Sequence, residues 1–177
     1  MLLALDSYYK DDICNTSLVL FENEKSSVPI YTDTIYTKVK SDYIPGEFYK
    51  RELPGIKKII KKLIKEHLGY WDLTNAIIID GYIILKNNDD EWGGLGAHLY
   101  EYLTKLGYNK IIIGVAKSKF GDCDKISDII FRGKSKTPLY VQTTANLCID
   151  ITNMHGEYRI PTMLKLVDQK SRIFPLK

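Results

Sequence analysis

Cysteine, an excess of one charge sign and long hydrophobic runs are all scarce in this sequence. Its three cysteines, Cys14, Cys123 and Cys148, are scattered and lack C-x-x-C spacing. That pattern is typical of reduced thiols, and not of a disulfide framework or a zinc site. Twenty-five Lys and Arg against 22 Asp and Glu give a formal net charge of +3. A strongly basic nucleic-acid module would carry a larger excess, but an enzyme with a local basic track beside an acidic metal site is compatible with this balance.

No apolar run approaches the length of a membrane span. The segment 1–6 has no basic region and soon meets an acid, so we expect no signal peptide. These absences predict a cytoplasmic protein with no membrane partner. A length of 177 residues with 45% hydrophobic composition predicts one domain over 1–177. We expect it to act as a monomer.

Periodicity along the chain predicts alternating strands and helices. Strands are predicted at 2–9, 16–21, 29–39, 76–80, 111–115 and 138–142. Helices are predicted at 54–68, 95–106 and 161–172. The first three strands are joined by short polar breaks and most simply form an antiparallel meander. The remaining alternation predicts an α/β fold in which a mixed sheet, antiparallel and then parallel, is flanked by helices. The lysine stripe on the first predicted helix is interpreted as a solvated face, with phosphate contact as the minority alternative.

Two acids lie within or at the end of apolar strands. Asp6 follows Leu5 in the first predicted strand, and Asp80 closes the fourth. An acid in such a place is costly to bury without a positive partner, and the carboxyl ends of strands are where sites form in open sheets. Converging carboxylates suit a hard cation such as Mg²⁺, with Glu52 as a candidate third ligand. The alternative is that each acid is a local cap or turn former, and composition does not choose among the 22 acids.

Five segments carry recognisable motifs in a consistent order along the chain. They are Leu3–Tyr8 (similar to D-x-S-Y), Tyr43–Glu52 (Y-I-P-G…R-E), Ile78–Gly81 (similar to V-D-G), Gly96–Leu99 (similar to the G-x-A-x-H-L helix) and Ile113–Ser118 (I-G-V-A-K-S). Tyr158–Pro161 adds a segment similar to Y-R-L-P. Together they resemble the endonuclease V family, the deoxyinosine 3′ endonucleases, over nearly the whole chain.

The resemblance implies an RNase H-like fold and a metal-dependent endonuclease. Such an enzyme hydrolyses a phosphodiester near hypoxanthine, which is deaminated adenine, in DNA or RNA, and cuts the second bond on the 3′ side. Its role would be nucleic-acid repair or inosine-RNA processing. Its partner would be inosine-containing nucleic acid, and its cofactor would be Mg²⁺, with Mn²⁺ as a substitute.

The resemblance also implies roles for individual residues. Asp6, Glu52 and Asp80 would be catalytic metal ligands, and Lys117 would act near the scissile phosphate. Tyr43, Ile44 and Pro45 would be the wedge that fills the gap left by a displaced base, for which a rigid apolar tip is suited. The residues that would line the pocket for that base are Gly46, Phe48, Gly81, Gly114 and Ala116. Without the resemblance, Tyr43–Gly46 would be interpreted as an ordinary turn.

Two histidines of the family pattern are absent from this chain. Lys86 stands in place of the first, ahead of the acidic insertion 87–91, and Ala145 stands in place of the second. Lys86 can still supply positive charge to a phosphate, and is included among the substrate-binding candidates. The departures leave two alternatives open, an RNase H-like nuclease of altered specificity and a weakly active inosine-binding or nucleic-acid-binding module. The retained acids favour an enzyme over a pure binding module.

Overall fold

The computed structural model describes residues 1–39, 42–146 and 149–175. Within them, nine strands run β1 Leu2–Lys10, β2 Ile13–Phe21, β3 Tyr31–Lys38, β4 Ala76–Ile79, β5 Ile84–Asn87, β6 Asp90–Gly93, β7 Ile111–Ala116, β8 Asp128–Ile130 and β9 Leu139–Thr143. The α-helices are α1 Tyr49–Glu66, α2 Leu68–Leu73, α3 Leu95–Lys105 and α4 Thr162–Ser171, with a 3₁₀ turn at Cys123–Ile126.

Seven of these strands form one mixed sheet in the order β3-β2-β1-β4-β7-β9-β8. β1, β2 and β3 pair antiparallel, whereas β4 runs parallel to both β1 and β7. The predicted meander followed by parallel strands is therefore confirmed. β9 and β8 then complete the sheet antiparallel. β5 and β6 form a separate two-stranded hairpin.

Alternate residues of each strand pack into different cores on the two faces of the sheet. Leu3 and Leu5 join the core beneath α1 and α3, whereas Leu2 and Ala4 join the core beneath α4. This alternation follows from the period-2 geometry of a strand. It means that even-numbered residues of β1 face α4, and Asp6 is the next of them.

Several boundaries differ from the sequence-based prediction. α1 begins at Tyr49 and includes Pro54 inside the helix, although proline usually marks a helix's first turn. The buried Leu53 explains the earlier start, because it extends the apolar face of the helix by a turn. The acidic segment 87–91 lies in the β5–β6 hairpin, which periodicity does not reveal.

Two of the three cysteines lie within the described residues. Cys14 and Cys123 are free and buried, which agrees with the prediction of reduced thiols, and Cys148 lies outside the described residues. Among the helices of the described chain, none is long and apolar enough to cross a membrane.

Candidate active site

Strand pairing brings the two strand-borne acids to the same edge of the sheet. Leu5 of β1 is the register partner of Ile79 of β4, and Asp6 and Asp80 follow these two residues. Asp6 is buried, with 7% of its surface exposed, and its Oδ1 accepts a hydrogen bond from the Ser7 N–H at 2.7 Å. Asp80 is partly exposed. Because β1 and β4 pair in this register, Asp6 and Asp80 lie side by side at the same end of the two apolar segments.

A third carboxylate reaches this edge from α4. One oxygen each of Asp6, Asp80 and Asp168 lies within 4.8 Å of the others. Asp168 follows the buried Leu164 by one helical turn and Val167 by one residue, so packing of α4 on the sheet carries it to the strand ends. We call these three residues the aspartate cluster.

Lys117, directly after β7, places its ammonium against all three aspartates. Its Nζ lies 2.8 Å from Asp80 Oδ2, 3.3 Å from Asp168 Oδ1 and 3.6 Å from Asp6 Oδ2. Arg172 adds a bidentate contact to Asp168, with both nitrogens at 3.0 Å from the carboxylate oxygens. A positive side chain therefore lies where three negative ones converge, as the cost of burying charge requires.

Burial and neighbouring charges shift the pKa values of Asp6 and Lys117. Burial raises the pKa of Asp6 to about 7, with a further rise from Asp80, while Lys117 acts in the opposite direction. Burial alone would lower the pKa of Lys117, but Asp80, Asp6 and Asp168 outweigh it and raise that pKa above its ordinary value. Partial burial would raise the pKa of Asp168, but hydrogen bonds from Arg172 and Lys117 outweigh it and lower that pKa.

Glu52 approaches the same edge from the opposite face of the sheet, on α1. Burial raises the pKa of Glu52 well above its ordinary value, and Asp6 and Asp80 raise it further. Glu52 does not belong to the set of aspartate oxygens within 4.8 Å of one another. The structure therefore brings Asp6 and Asp80 together, places Glu52 near them, and supplies Asp168 as the third member of the close group.

A pocket of about 920 Å³, open to solvent, adjoins the aspartate cluster. Glu52, Asp80 and Lys117 line one side of it. Four of the predicted base-pocket residues also line it, namely Gly46, Phe48, Gly81 and Ala116. Its other walls include the aromatic rings of Tyr49, Tyr82 and Phe120. We call this cavity the ring-lined pocket.

Gly114, the fifth predicted pocket residue, is not among the residues that line the ring-lined pocket. A Cβ at Gly114 would come within 2.5 Å of the carbonyl oxygen of Gly81. Glycine at this position therefore lets β7 approach the segment that lines the pocket, which is a positioning effect and not a contact with the cavity.

The predicted wedge residues directly precede Gly46, which lines the ring-lined pocket, but they do not line that pocket themselves. Ile44 and Pro45 line a separate cavity together with Trp92 and His98. Tyr43 and Ile44 are 57% and 49% exposed. The Tyr43 ring packs edge-on against Phe48, with the centroids 5.1 Å apart. Gly46 follows with φ +82°, a backbone conformation that favours glycine. The Trp92 indole N–H donates to the Gly46 carbonyl oxygen at 3.2 Å, so the β6 strand anchors this turn.

The two residues that stand in place of the family histidines, Lys86 and Ala145, do not line the ring-lined pocket. Lys86 is in β5, and its ammonium pairs with Glu91 at 2.7 Å across the hairpin. Ala145 is exposed just after β9.

Three residues near the site have no individual role predicted from sequence. Asp168 lies on a predicted helix, and its signal is an acid placed one turn beyond buried Leu164 on an otherwise apolar stripe. Trp92 lies beyond the acidic insertion, where the hairpin is not predicted. Arg159 falls in the Y-R-I-P segment, and it donates to the main-chain carbonyls of Lys117, Pro138 and Thr137.

The chain is similar in structure to several solved endonuclease V proteins. The catalytic domain of human endonuclease V matches 97% of this chain and 80% of its own length, with 19% identity and a TM-score of 0.70. Endonuclease V from Ciona intestinalis, in complex with a 24mer DNA containing an inosine followed by a ribo-adenosine, matches 97% of this chain and 84% of its own length, at 17% identity and a TM-score of 0.72. The Bacillus subtilis protein matches 96% and 78%, at 18% identity and a TM-score of 0.64.

Comparison by sequence finds no matching family model and no matching curated protein. The likeness is therefore one of fold at low sequence identity, and it agrees with the resemblance found in the motifs. The chain has the RNase H-like α/β fold shared by these endonuclease V structures.

Proposed function

We propose that this protein is a divalent-metal-dependent endonuclease that hydrolyses a phosphodiester near hypoxanthine in DNA or RNA. The observation that carries the proposal is the aspartate cluster at the edge of the ring-lined pocket. A metal-binding edge beside a pocket large enough for a flat base is the arrangement that cleavage next to a displaced base requires. The fold likeness to endonuclease V structures supports the same assignment.

The donor chemistry of the cluster fits a hard divalent cation. Its three members offer carboxylate oxygens within 4.8 Å of one another, and Mg²⁺ and Mn²⁺ prefer oxygen ligands. Burial raises the pKa of Asp6, with a further rise from Asp80, and a bound cation would favour the ionised form of that carboxylate. Asp6, Asp80 and Asp168 would hold the cation, and Glu52 would face it from the α1 side.

Each residue near the cluster has a distinct task in this reaction. When bound, the cation supplies charge neutralisation for the phosphate and lowers the pKa of a water molecule. Lys117 now donates to Asp80, and beside a phosphodiester the same N–H groups would donate to a non-bridging oxygen as its charge develops. Arg172 holds the Asp168 carboxylate in place through two hydrogen bonds.

The ring-lined pocket would hold the hypoxanthine. Phe48 and Tyr82 offer flat apolar faces, and Gly81 lets the base lie against backbone groups that can read its edge. Tyr43, Ile44 and Pro45 would occupy the space that the base leaves in the strand, because their side chains are exposed and the turn leads directly to the pocket residues Gly46 and Phe48.

A second candidate is an RNase H-like nuclease of altered specificity. The observation that favours it is the Lys86–Glu91 ion pair, which directs the lysine that replaces a family histidine away from the ring-lined pocket. Recognition of the base would then depend on the residues that line the pocket, without a contribution from Lys86.

A cleavage assay on labelled strands separates these functions. Strands with and without one hypoxanthine are incubated with the protein in Mg²⁺ and then in Mn²⁺. The proposal expects metal-dependent cleavage of the hypoxanthine strand on the 3′ side of the base. Equal cleavage of both strands would indicate altered specificity, and tight binding without cleavage in either metal would indicate a binding module.

A further inference from the structure

A second groove adjoins the aspartate cluster on the side away from the ring-lined pocket. It offers roughly 680 Å³ of space open to solvent, between α4 and the segment 158–160. Lys117 and Asp168 form its inner end, and Tyr158, Lys165 and Arg172 form its outer walls. We call it the α4 groove.

Positive charge is concentrated in the α4 groove. Four of its lining residues are cationic, Lys117, Arg159, Lys165 and Arg172. Lys117 and Arg172 pair with the aspartate cluster, whereas Arg159 and Lys165 make no ion pair with a carboxylate of the described residues. The whole chain has a formal net charge of only +3, so this density is local. Arg159 donates to main-chain carbonyls, which have no formal charge, and its guanidinium therefore adds to the positive field of the groove.

An exposed aromatic ring lies at the rim of the same groove. Tyr158 is 71% exposed, and Lys165 Nζ lies 5.3 Å from the centre of its ring. A cationic groove combined with an aromatic platform is the usual means of binding single-stranded nucleic acid, since the cations meet phosphates and the ring stacks on a base.

The two cavities meet at Lys117, beside the aspartate cluster. Lys117 lines both of them, and Asp80 and Asp168 each line one. A strand with a base in the ring-lined pocket and a phosphodiester at the aspartates must leave on the far side of Lys117. Because the proposed cut lies 3′ of the hypoxanthine, the far side receives the 3′ part of the strand.

We propose that the α4 groove binds the nucleotides that follow the scissile phosphodiester on the 3′ side, with Lys165 contacting a phosphate and Tyr158 stacking on a base. This inference rests on the proposed function for its polarity. The positive charge and the exposed ring favour a nucleic-acid strand over a free phosphate ion, because Tyr158 can stack on a base and a phosphate ion has none.

Binding of strands that differ only in their 3′ length tests the groove. Labelled single strands contain one hypoxanthine, a constant 5′ part, and either about two or about eight nucleotides after it, a span on the scale of known single-strand sites. Affinity is measured by fluorescence anisotropy in EDTA, which prevents metal-dependent cleavage. The wild-type protein is expected to bind the long strand about tenfold more tightly, the scale of one stacked base with one phosphate contact.

The variant is Lys165→Gln combined with Tyr158→Leu, and its matched control is Lys61→Gln on the exposed face of α1. Both changes lie on the surface, so stability should alter little, which thermal unfolding verifies. The double variant should lose the gain from the long 3′ part and bind the short strand as the wild type does. Its salt dependence on the long strand should weaken by about 0.7 in logarithmic slope, for one phosphate contact removed. The control should behave as the wild type.

Three results would contradict the inference that the α4 groove binds the 3′ nucleotides. They are equal wild-type affinity for both lengths, no binding of either strand, and a double variant that keeps the full gain. The same strands with adenine in place of hypoxanthine separate this inference from the proposed function. A 3′-length effect that depends on Tyr158 and Lys165 but not on hypoxanthine would support the groove and contradict the hypoxanthine specificity.

Discussion

Asp168 and Glu52 approach the same pair of strand-borne carboxylates from opposite faces of the sheet. Asp168 comes from α4 and joins Asp6 and Asp80 within 4.8 Å, whereas Glu52 comes from α1 and lines the ring-lined pocket. The predicted trio was Asp6, Glu52 and Asp80, and their roles as ligands stay predictions. The geometry adds Asp168 to the candidates.

Asp80→Asn should abolish most of the metal-dependent cleavage. The change removes one anionic oxygen from the aspartate cluster and weakens the cation that stabilises charge in the transition state. The loss should be at least ~10²-fold in rate. The rate on the hypoxanthine strand is compared with that of Asp128→Asn, an exposed aspartate in β8, which should keep wild-type activity. A purified Asp80→Asn protein with the wild-type rate would assign the activity to other residues or to a contaminant.

Asp168→Asn and Glu52→Gln together identify the third ligand. Asp168 is in the close group, so its amide variant should need about tenfold or more Mn²⁺ for half-maximal cleavage, on the scale of lost metal contacts. Glu52→Gln should shift that concentration less and lower the maximal rate instead. Titration of Mn²⁺ in the cleavage assay distinguishes the two. If Glu52→Gln raises the required Mn²⁺ concentration more than Asp168→Asn does, Glu52 and not Asp168 is the third ligand.

At the scale of elements, the turn that contains the wedge is held by a neighbouring hairpin. Trp92 of β6 donates to the Gly46 carbonyl and packs edge-on against Phe120, with centroids 6.0 Å apart. The hairpin is anchored in turn by the Asp122 N–H, which donates to the Lys86 carbonyl at 2.9 Å. One wall of the ring-lined pocket and the wedge turn are therefore joined through β5–β6.

Tyr43→Ala should weaken binding of substrate and leave the chemical step nearly intact. The Tyr43 ring is exposed, packs against the pocket residue Phe48, and is not part of the aspartate cluster. Loss of its stacking should raise Kd for the hypoxanthine strand by roughly tenfold to a hundredfold. Single-turnover cleavage at saturation should fall much less, because the carboxylates are unchanged. If Tyr43–Gly46 is only a turn, the variant will alter stability and leave affinity alone.

Trp92→Phe and Trp92→Ala separate the hydrogen bond from the packing of the hairpin. The Phe variant loses the bond to Gly46 and should lower the free energy of unfolding by about 1 kcal/mol. The Ala variant should cost roughly 2 kcal/mol, less than a fully buried Trp, because Trp92 is half-buried. Urea unfolding measures both. If the two variants have equal free energies of unfolding, the packing of the Trp92 ring does not stabilise the turn beyond the hydrogen bond to Gly46.

At the scale of the whole molecule, metal binding and folding stability should be linked through Lys117. Its ammonium neutralises part of the aspartate cluster. Lys117→Met should therefore lower the melting temperature in EDTA, since Asp6 and Asp80 lose their positive partner and Asp168 keeps only Arg172. A saturating divalent cation should restore it, and the rise should exceed that of the wild type.

Thermal unfolding with and without Mg²⁺ or Mn²⁺ measures this linkage. At about 100 times Kd, a ligand that binds only the folded state adds about 2.7 kcal/mol, or roughly 5–10 °C for a chain of this size. The control is Lys119→Met, whose ammonium pairs with Asp124 and not with the cluster. A Lys117→Met protein that gains no more from metal than the wild type would contradict a shared site.

Much of the fold could be predicted from local pattern. β1, β4 and β7 lie where apolar runs place them, because a strand buried on both faces needs a continuous β-branched or aliphatic segment. α3 and α4 match their predicted ranges to within a residue at each end. The β5–β6 hairpin was not predicted, since its acidic, partly exposed strands have no apolar alternation. It is held by contacts with Gly46 and with the segment 120–123, which are distant in sequence.

The sequence by itself determined where Asp6 and Asp80 lie, because each ends an apolar stretch of strand, and strand position is a local property. It also determined the turn at Gly46, where only glycine suits the backbone. Only the tertiary structure decided that Asp168 completes the cluster, because that depends on how α4 packs over the sheet. Only it decided that Lys117 stands among three aspartates and that basic residues from α4 and the segment 158–160 share one groove. Charges far apart in sequence act together only when packing brings them within a few ångströms, and local periodicity does not encode that distance.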